Sequence, residues 1–444
     1  MKNILIAIRS IFKKGRHNVM KIVSLGIGLA VGLVLIAKVY FEQSYDDFYP
    51  DRDRVYQVWA KYQQNGGELK DYPQTSGGIA PTMQQQIPEI ETVTRYTSFG
   101  DWTFTMTDTK MKYSGRCIIA DSCFFDILPR PMLIGNAKEV LSTPMYVLIS
   151  SRIAKNIGGD VIGKNFTVDS SPGRTMTIGG VFEEVPENSH SRYDVIVSMA
   201  SAGRFMWEGS HTNMLGNDRY ISYVKLHKGV NPLALEEQVR TFVNSYFPPE
   251  EQQKTGFNIG FSFHELDGLH KELPQVKRMT WILSLLAFAL IFTAVMNYIL
   301  IVISSIVNRS KEVAVHKCYG ASENNIHGMM FGEALVHIVL SLILALLLIL
   351  AFRGTVEELL ATSLDSLLLS NGSLVLLGIC ILVFFVSGFM PGSLYARIPV
   401  ASAFRNYREN KRIWKKALLL VQFVATGFLV TMLVFVARQY TFML

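Results

Sequence analysis

Three groups of residues in this chain have the types and approximate spacings that do chemistry. The first is Gly158 to Asn165, GGDVIGKN, which reads G-x-x-x-x-G-K. A loop of that kind cradles nucleotide phosphates, but it needs a strand before it, a helix after it, and a Ser or Thr after the lysine to hold magnesium. Here the preceding SSRIAKNI has helical spacing, the following NFTVD alternates like a strand, and Asn165 stands where the hydroxyl should be. The stretch is therefore expected to be a helix-ending glycine pair and a turn into a strand. No other G-x-x-x-x-G-K-[ST] occurs, so the chain carries no ATPase of this kind. The second group is His264 and His270, which flank ELDGL; no third ligand is spaced to complete a zinc site, and both are read as structural. The third is Cys117 and Cys123. They could pair in an oxidising compartment or stay as buried free thiols, and spacing leaves both open. Cys318 and Cys380 are not expected to pair. No catalytic, cofactor-binding or metal-binding residue is assigned, and the chain is read as a non-enzyme.

The elements that carry these residues are set by hydropathy. Hydrophobic residues make up 49% of the 444 and charged residues 18%, below the roughly 25% of soluble domains. The apolar residues are blocked into runs of membrane-spanning length, about 20 residues for a hydrocarbon core of about 30 Å. The reading is an α-helical bundle of four spans plus a fifth near the C-terminus, with a large α+β domain inserted between spans one and two. Its divisions are an amphipathic segment 1–21, span 22–40, inserted domain 41–278, span 279–307, loop 308–333, span 334–352, short loop 353–372, span 373–390, basic loop 391–416 and span 417–437. The first run is too long for a signal peptide, and no small-x-small cleavage site follows it, so it is read as an uncleaved anchor.

Loop charges set the orientation. Lys2, Arg9, Lys13, Lys14, Arg16 and Lys21 precede span one. Arg309, Lys311 and Lys317 lie between spans two and three, and Arg397, Arg405, Arg408, Lys411, Arg412, Lys415 and Lys416 between four and five. The loop after span three holds only Arg353, against Glu357, Glu358 and Asp365. The positive-inside rule places the N-terminus and the basic loops in the cytoplasm and residues 41–278 outside the membrane. The net charge of +7 has this cause, and nucleic acid is not expected as a partner. Within the inserted domain, DRVYQVWAKY, TVTRYTSF, WTFTMT, MYVLIS, NFTVD, TMTIGGVFEEV and DVIVS read as strands, and IAPTMQQQIPEI and NPLALEEQVRTFVNSYF as helices. Strands and helices interleave without strict βαβ order, hence α+β.

The loop NRSKEVAVHKCYGASENNIHGMMFGEALV, from Asn308, is too polar to continue a span. Glu312, His316 and Gly320 are four apart and, with Val313 and Lys317 beside them, read as a short amphipathic helix. Gly320 suits its C-terminal end, and Ser322 suits the next N-cap. Physically such a helix is suited either to docking a soluble partner or to joining two spans along the membrane surface.

Here the sequence resembles the permeases of MacB/FtsX/LolC-type ABC transporters. That family's loop runs approximately R-x-x-E-[IV], then G-A-[ST]-x-x-x-[IV], then E. Arg309 or Lys311, Glu312, Val313, Gly320, Ala321, Ser322, Ile326 and Glu333 match it here, and Lys317 lies on the same helix. YDDFYPDRDRVYQV, VLISSRIAKNIGGDVIGKNFTV and GGVFEEVPENSHSRYDVIVS resemble recurring segments of the family's periplasmic core domain. The resemblance implies that ATP and magnesium are used by a separate cytoplasmic ABC ATPase docked on this loop, while this chain binds no cofactor. Its implied role is mechanotransmission for export, extraction or release of a substrate, whether efflux or lipoprotein release. Implied partners are the ATPase, a second permease half or homodimer partner, membrane lipid, and a periplasmic adaptor or outer-membrane component. Two other readings are an FtsX-like regulator of a cell-wall hydrolase and a membrane sensor that binds a ligand outside.

Lys21, Gly32 and Tyr45 recur as Lys416, Gly427 and Tyr440, each 395 residues on. Both segments run from a basic lead through a span to an aromatic-polar exit, so the end of the chain reads as the start of a second copy of its beginning. The expectation is the first half of a tandem permease, with Gly32 and Gly427 as small residues that let helices approach.

Overall fold

Among the described residues, four helices are long and apolar enough to cross a membrane, and backbone hydrogen bonding inside each helix is what makes that possible in hydrocarbon. The computed structural model describes residues 17–171, 173–369, 371–396 and 413–443. Most of the 1–21 segment and of the basic loop 391–416 lies outside the described residues. The chain forms two units, Ser44–Leu273 and the helices on either side of it in sequence.

The helical unit comprises α1 (Asn18–Gln43), α2 (Pro274–Ser304), α3 (Ile306–Cys318), α4 (Glu323–Ala351), α5 (Ser373–Ala396) and α6 (Ile413–Met443). The helices overrun the apolar runs, since a helix does not stop where hydropathy falls. Residues 308–333, expected as one loop, therefore divide between α3, a turn and the first turns of α4. The short loop expected at 353–372 contains two helices, Arg353–Leu360 and Leu364–Leu368. The expected fifth span is α6, whose described apolar part, Leu419–Met432, is shorter than the other four. On α1, Leu25, Leu29, Leu33 and Ala37 are buried at four-residue spacing, while Val19, Val23, Ile27 and Val31 are exposed, the face left for lipid.

The inserted unit is one mixed sheet of eleven strands. They are β1 (Val55–Gln64), β2 (Lys70–Tyr72), β3 (Ile90–Met106), β4 (Lys112–Ala120), β5 (Met132–Ile134), β6 (Tyr146–Ser150), β7 (Asn165–Val168), β8 (Thr175–Phe182), β9 (Val195–Ser198), β10 (Ile221–Leu226) and β11 (Phe257–Glu265). The order is β11-β1-β10-β3-β4-β9-β6-β8-β5, with β2 on β1, and β7 on β3 and β8. The pairs β4–β9 and β6–β8 are parallel and the rest antiparallel, so the domain is α+β. TVTRYTSF and WTFTMT are one strand, β3, bent by a register shift at Gly100, whose φ of +74° suits glycine. β2, β4, β5, β10 and β11 were not among the expected strands. β10 is covered on both faces and so lacks alternation; β11 alternates Phe257, Ile259, Phe261 and Phe263 and was legible. Tyr56, Val58 and Ala60 of β1 pack under the helix Glu236–Tyr246 through Val239 and Phe242, while Val55 faces the opposite core with Tyr223 and Tyr96.

GGDVIGKN is a turn. The helix Ser151–Ile157, capped by Ser150 Oγ, ends where Gly158 N–H donates to Ala154 O at 3.0 Å. Gly158, Gly159 and Gly163 all have positive φ, and β7 begins at Asn165. Cys117 and Cys123 are free thiols: Cys117 is buried in β4, and Cys123 donates to Val93 O at 3.0 Å. Burial pushes the Cys123 thiol up to about 11, which makes it a poor nucleophile. His264 stacks on Trp59 with ring centroids 4.2 Å apart, and its pKa is lowered by burial.

Candidate coupling site

α3 is an amphipathic helix held by one edge. Val313 and Ala314 are each 1% exposed and join the core formed by Leu25, Tyr298, Ile326 and Met330. Lys311, His316 and Cys318 are exposed, and Glu312 and Lys317 are half-buried. The side chain of Arg309 lies outside the described residues. The helix closes with two backbone bonds, Gly320 N–H to Lys317 O and Ala321 N–H to His316 O, both 3.0 Å. This is the glycine-dependent Schellman ending, and Gly320 has φ +86°. Ser322 Oγ then accepts from Asn325 N at 3.3 Å and starts α4. A turn of four residues thus separates two helices, which fixes the angle of α3 on the bundle.

Ile326 and Glu333, expected in the loop, lie on α4. Ile326 is 2% exposed and packs under α3. Glu333 heads a polar row on α4, followed by His337 and Ser341 at four-residue spacing, which is one helix face. Glu333 Oε1 lies 3.8 Å from Lys21 Nζ of α1, and Lys21 Nζ donates to Asn18 Oδ1 at 3.2 Å. His337 Nδ1 lies 3.2 Å from Tyr298 OH of α2, and Ser341 Oγ donates to Ile22 O of α1 at 3.1 Å. Lys21 is fully buried and Glu333 is 7% exposed. The row joins α1, α2 and α4 by polar contacts inside an apolar bundle, where ionisable groups are expensive and mark function.

Between its polar ends α1 packs on its neighbours through glycine. A Cβ on Gly28 would lie 2.2 Å from Ala294 Cβ, and one on Gly32 2.5 Å from Ile291 Cγ1, both on α2. A Cβ on Gly427 of α6 would meet nothing within 4 Å among the described residues, so there Gly427 makes no close helix contact. At the other end of α1, Lys38 Nζ lies 2.6 Å from Glu42 Oε1 and donates to Thr362 Oγ1 at 2.7 Å. α6 meets α2 through a hydrogen bond from Gln422 Nε2 to Asn297 Oδ1. None of these long-range pairs was expected from sequence; the only local signal for the polar row was Glu-x3-His-x3-Ser in an apolar run.

In the inserted unit, the segments that follow α1 and precede α2 in sequence are pinned together. Tyr45 stacks on His270 at 3.8 Å with planes 12° apart, and His190 lies edge-on to Tyr45 at 4.8 Å. His190 Nδ1 is 2.5 Å from Asp46 Oδ2, Ser189 Oγ donates to Asp46 Oδ1 at 2.6 Å, and Asn188 Nδ2 donates to Ser44 O at 2.6 Å. Arg52 bridges Asp47 at 3.3 Å and Asp267 at 3.8 Å. Burial raises the pKa of Asp47, and its hydrogen bond with Asp267 raises it further, against the charge of Arg52. YDDFYPDRD, PENSHSRYD and the stretch from Asp267 to His270 meet in this clamp. Among the described residues, no three His, Cys, Asp or Glu side chains come together to hold a metal.

Residues 284–400 match the family described as FtsX-like permease C-terminal. No curated protein matches the chain. Among solved structures, it is similar to a domain of a protein assigned as a permease from Porphyromonas gingivalis, at 33% identity and a TM-score of 0.45, covering 49% of this chain and 91% of that one. It is also similar to the periplasmic region of MacB from Actinobacillus actinomycetemcomitans, at 15% identity and a TM-score of 0.33, covering 46% and 87%. A further similarity is to the extracellular domain of the noncanonic ABC-type transporter YknZ from Gram-positive bacteria, at 11% identity and a TM-score of 0.33, covering 46% and 98%.

Proposed function

We propose, from the match of residues 284–400 to the FtsX-like permease family, that this chain is the non-catalytic membrane half of an ATP-driven transporter. ATP and magnesium are used by a separate ABC ATPase in the cytoplasm, which docks on the exposed side of α3. The observation that carries this reading is the seat of α3: Val313 and Ala314 anchor it in the bundle, while Lys311 and His316 remain open to a partner. The basic loops support placing that side in the cytoplasm, with the N-terminus, and the inserted domain outside the inner membrane.

Closure of the ATPase dimer displaces α3, and its buried edge, Val313 and Ala314, passes the push to the bundle. The Lys21–Glu333 and Tyr298–His337 contacts carry the displacement to α1 and α2 together. Those two helices lead into and out of the inserted domain, whose ends are held by the Tyr45–His270 stack. The domain therefore answers as a rigid body, pushing or releasing a substrate outside. Because two ATPase subunits sandwich ATP between them, this four-span set supplies one half and pairs with a second copy or a second half.

The test is ATP turnover by the partner ATPase reconstituted with this chain. Glu312→Lys and Gly320→Pro are each expected to cut the stimulated rate about tenfold, the consequence of roughly 1.4 kcal/mol lost at the contact. Gly320→Pro acts because proline fixes φ near −65°, whereas Gly320 sits at +86°. Membrane insertion is expected to be unchanged. Normal stimulation in both variants overturns the assignment of α3 as the coupling element.

A further inference from the structure

The inserted domain holds a pocket of about 220 Å³ whose lining includes Arg116, Arg130, Arg152, Arg192, Glu184 and Asp194. These come from separated parts of the chain: Arg116 from β4, Arg130 from the segment before β5, Arg152 from the helix Ser151–Ile157, Glu184 from just after β8, and Arg192 and Asp194 from the approach to β9. Four guanidinium groups face two carboxylates, and both carboxylates are engaged by Arg152, with Nη2 2.5 Å from Asp194 Oδ1 and Nε 3.4 Å from Glu184 Oε1. Asp194 also accepts from the backbone N–H of Arg116 at 2.9 Å. Among the described residues, Arg116, Arg130 and Arg192 form no ion pair.

Arg130 is the unusual member. It is 6% exposed, and its Nε and Nη2 meet no hydrogen-bond acceptor. Its guanidinium carbon lies 5.1 Å from the ring centre of Phe182 and 5.8, 5.9 and 6.0 Å from those of Phe125, Tyr193 and Phe124. Aromatic faces ease the burial of the cation, but they give its in-plane N–H groups no lone pair, and an unsatisfied buried cation is costly. A planar fork of donors backed by two more arginines matches an oxyanion with several acceptor oxygens.

We propose that this pocket binds a phosphate group, with Arg130 as its buried anchor and Arg116 and Arg192 closing on it from the exposed side. The phosphate comes either free in solution or on a lipid headgroup, and the volume leaves room for part of the group that carries it. The site is independent of the coupling at α3.

The experiment uses the full chain in detergent, titrated with inorganic phosphate and followed by thermal unfolding, and in parallel the full chain in nanodiscs of phosphatidic acid or phosphatidylcholine, followed by protection of arginines from phenylglyoxal. The variants are R116Q/R192Q, which touches only exposed side chains, and R130K, which keeps the charge but removes the fork. Stabilisation of the wild type by inorganic phosphate, weakened roughly tenfold in both variants, supports the proposal with a soluble source. Protection of Arg116 and Arg192 in phosphatidic acid but not phosphatidylcholine, with no response to inorganic phosphate, supports it with a lipid source. No response to either probe, or an undiminished response in R116Q/R192Q, overturns it.

Discussion

Lys21→Met is expected to destabilise the helical unit by about 3–5 kcal/mol, the usual cost of removing one partner from a buried ion pair. Lys21 is fully buried, and the carboxylate 3.8 Å away on Glu333 is 7% exposed. Without the ammonium, Glu333 must hold its charge in apolar surroundings or take up a proton, and either costs stability. Glu333→Met is expected to cost a similar amount by leaving the ammonium. The double variant K21M/E333M should recover most of the loss, because apolar replacement of both members of a buried pair is often neutral. Thermal unfolding of the purified chain in detergent reads all three. If the double variant folds but its partner ATPase is no longer stimulated, the pair serves coupling rather than stability. If Lys21→Met unfolds at the wild-type temperature, the pair is not buried as described.

The second large effect is steric. Gly28→Leu puts a side chain where even a Cβ would stand 2.2 Å from Ala294 Cβ, and Gly32→Leu puts one 2.5 Å from Ile291 Cγ1. Both neighbours sit on α2, so the helices must separate. The expected cost is about 1–3 kcal/mol each, the range for overpacking a well-filled core, with loss of engineered disulfides across the α1–α2 contact. Gly427→Leu is the control: a Cβ there meets nothing within 4 Å, and the stability of the isolated chain should not change. Leucine is a better helix former than glycine, so equal losses at Gly28 and Gly427 would show that the penalty does not come from contact with α2.

Local signals in the sequence were read correctly at the turns, where the determining atoms lie close along the chain, but the equally local alternation of β11 was passed over. The Gly158–Gly159 pair ends a helix because positive φ is needed there, and Asn165 starts a strand, so the near-match to a phosphate loop was decided within eight residues. Gly320 and Ser322 likewise set the end of α3 and the start of α4 through bonds spanning five residues or fewer. Four of the spans were legible because about 20 apolar residues in a row have no soluble alternative. What misled was treating polarity as the end of a helix: Ile326 and Glu333 sit on α4, where Glu333 is tolerated because Lys21 comes to it from α1.

By itself, then, the sequence determined that this is a multi-pass membrane protein with a large α+β domain inserted after its first span, and that the polar stretch after α2 is a helix with a glycine stop. Tertiary structure alone decided which face of each span is core. Val23 and Leu25 are equally apolar, yet Leu25 is fully buried and Val23 is 40% exposed; in lipid both faces of a helix are hydrophobic, so periodicity carries no signal and packing chooses. It alone also brought Lys21 to Glu333, Tyr45 to His270 and His190 to Asp46, and gathered four arginines from scattered segments around one pocket. These pairings depend on the register of helices and strands far apart in the chain, and no local propensity encodes that register.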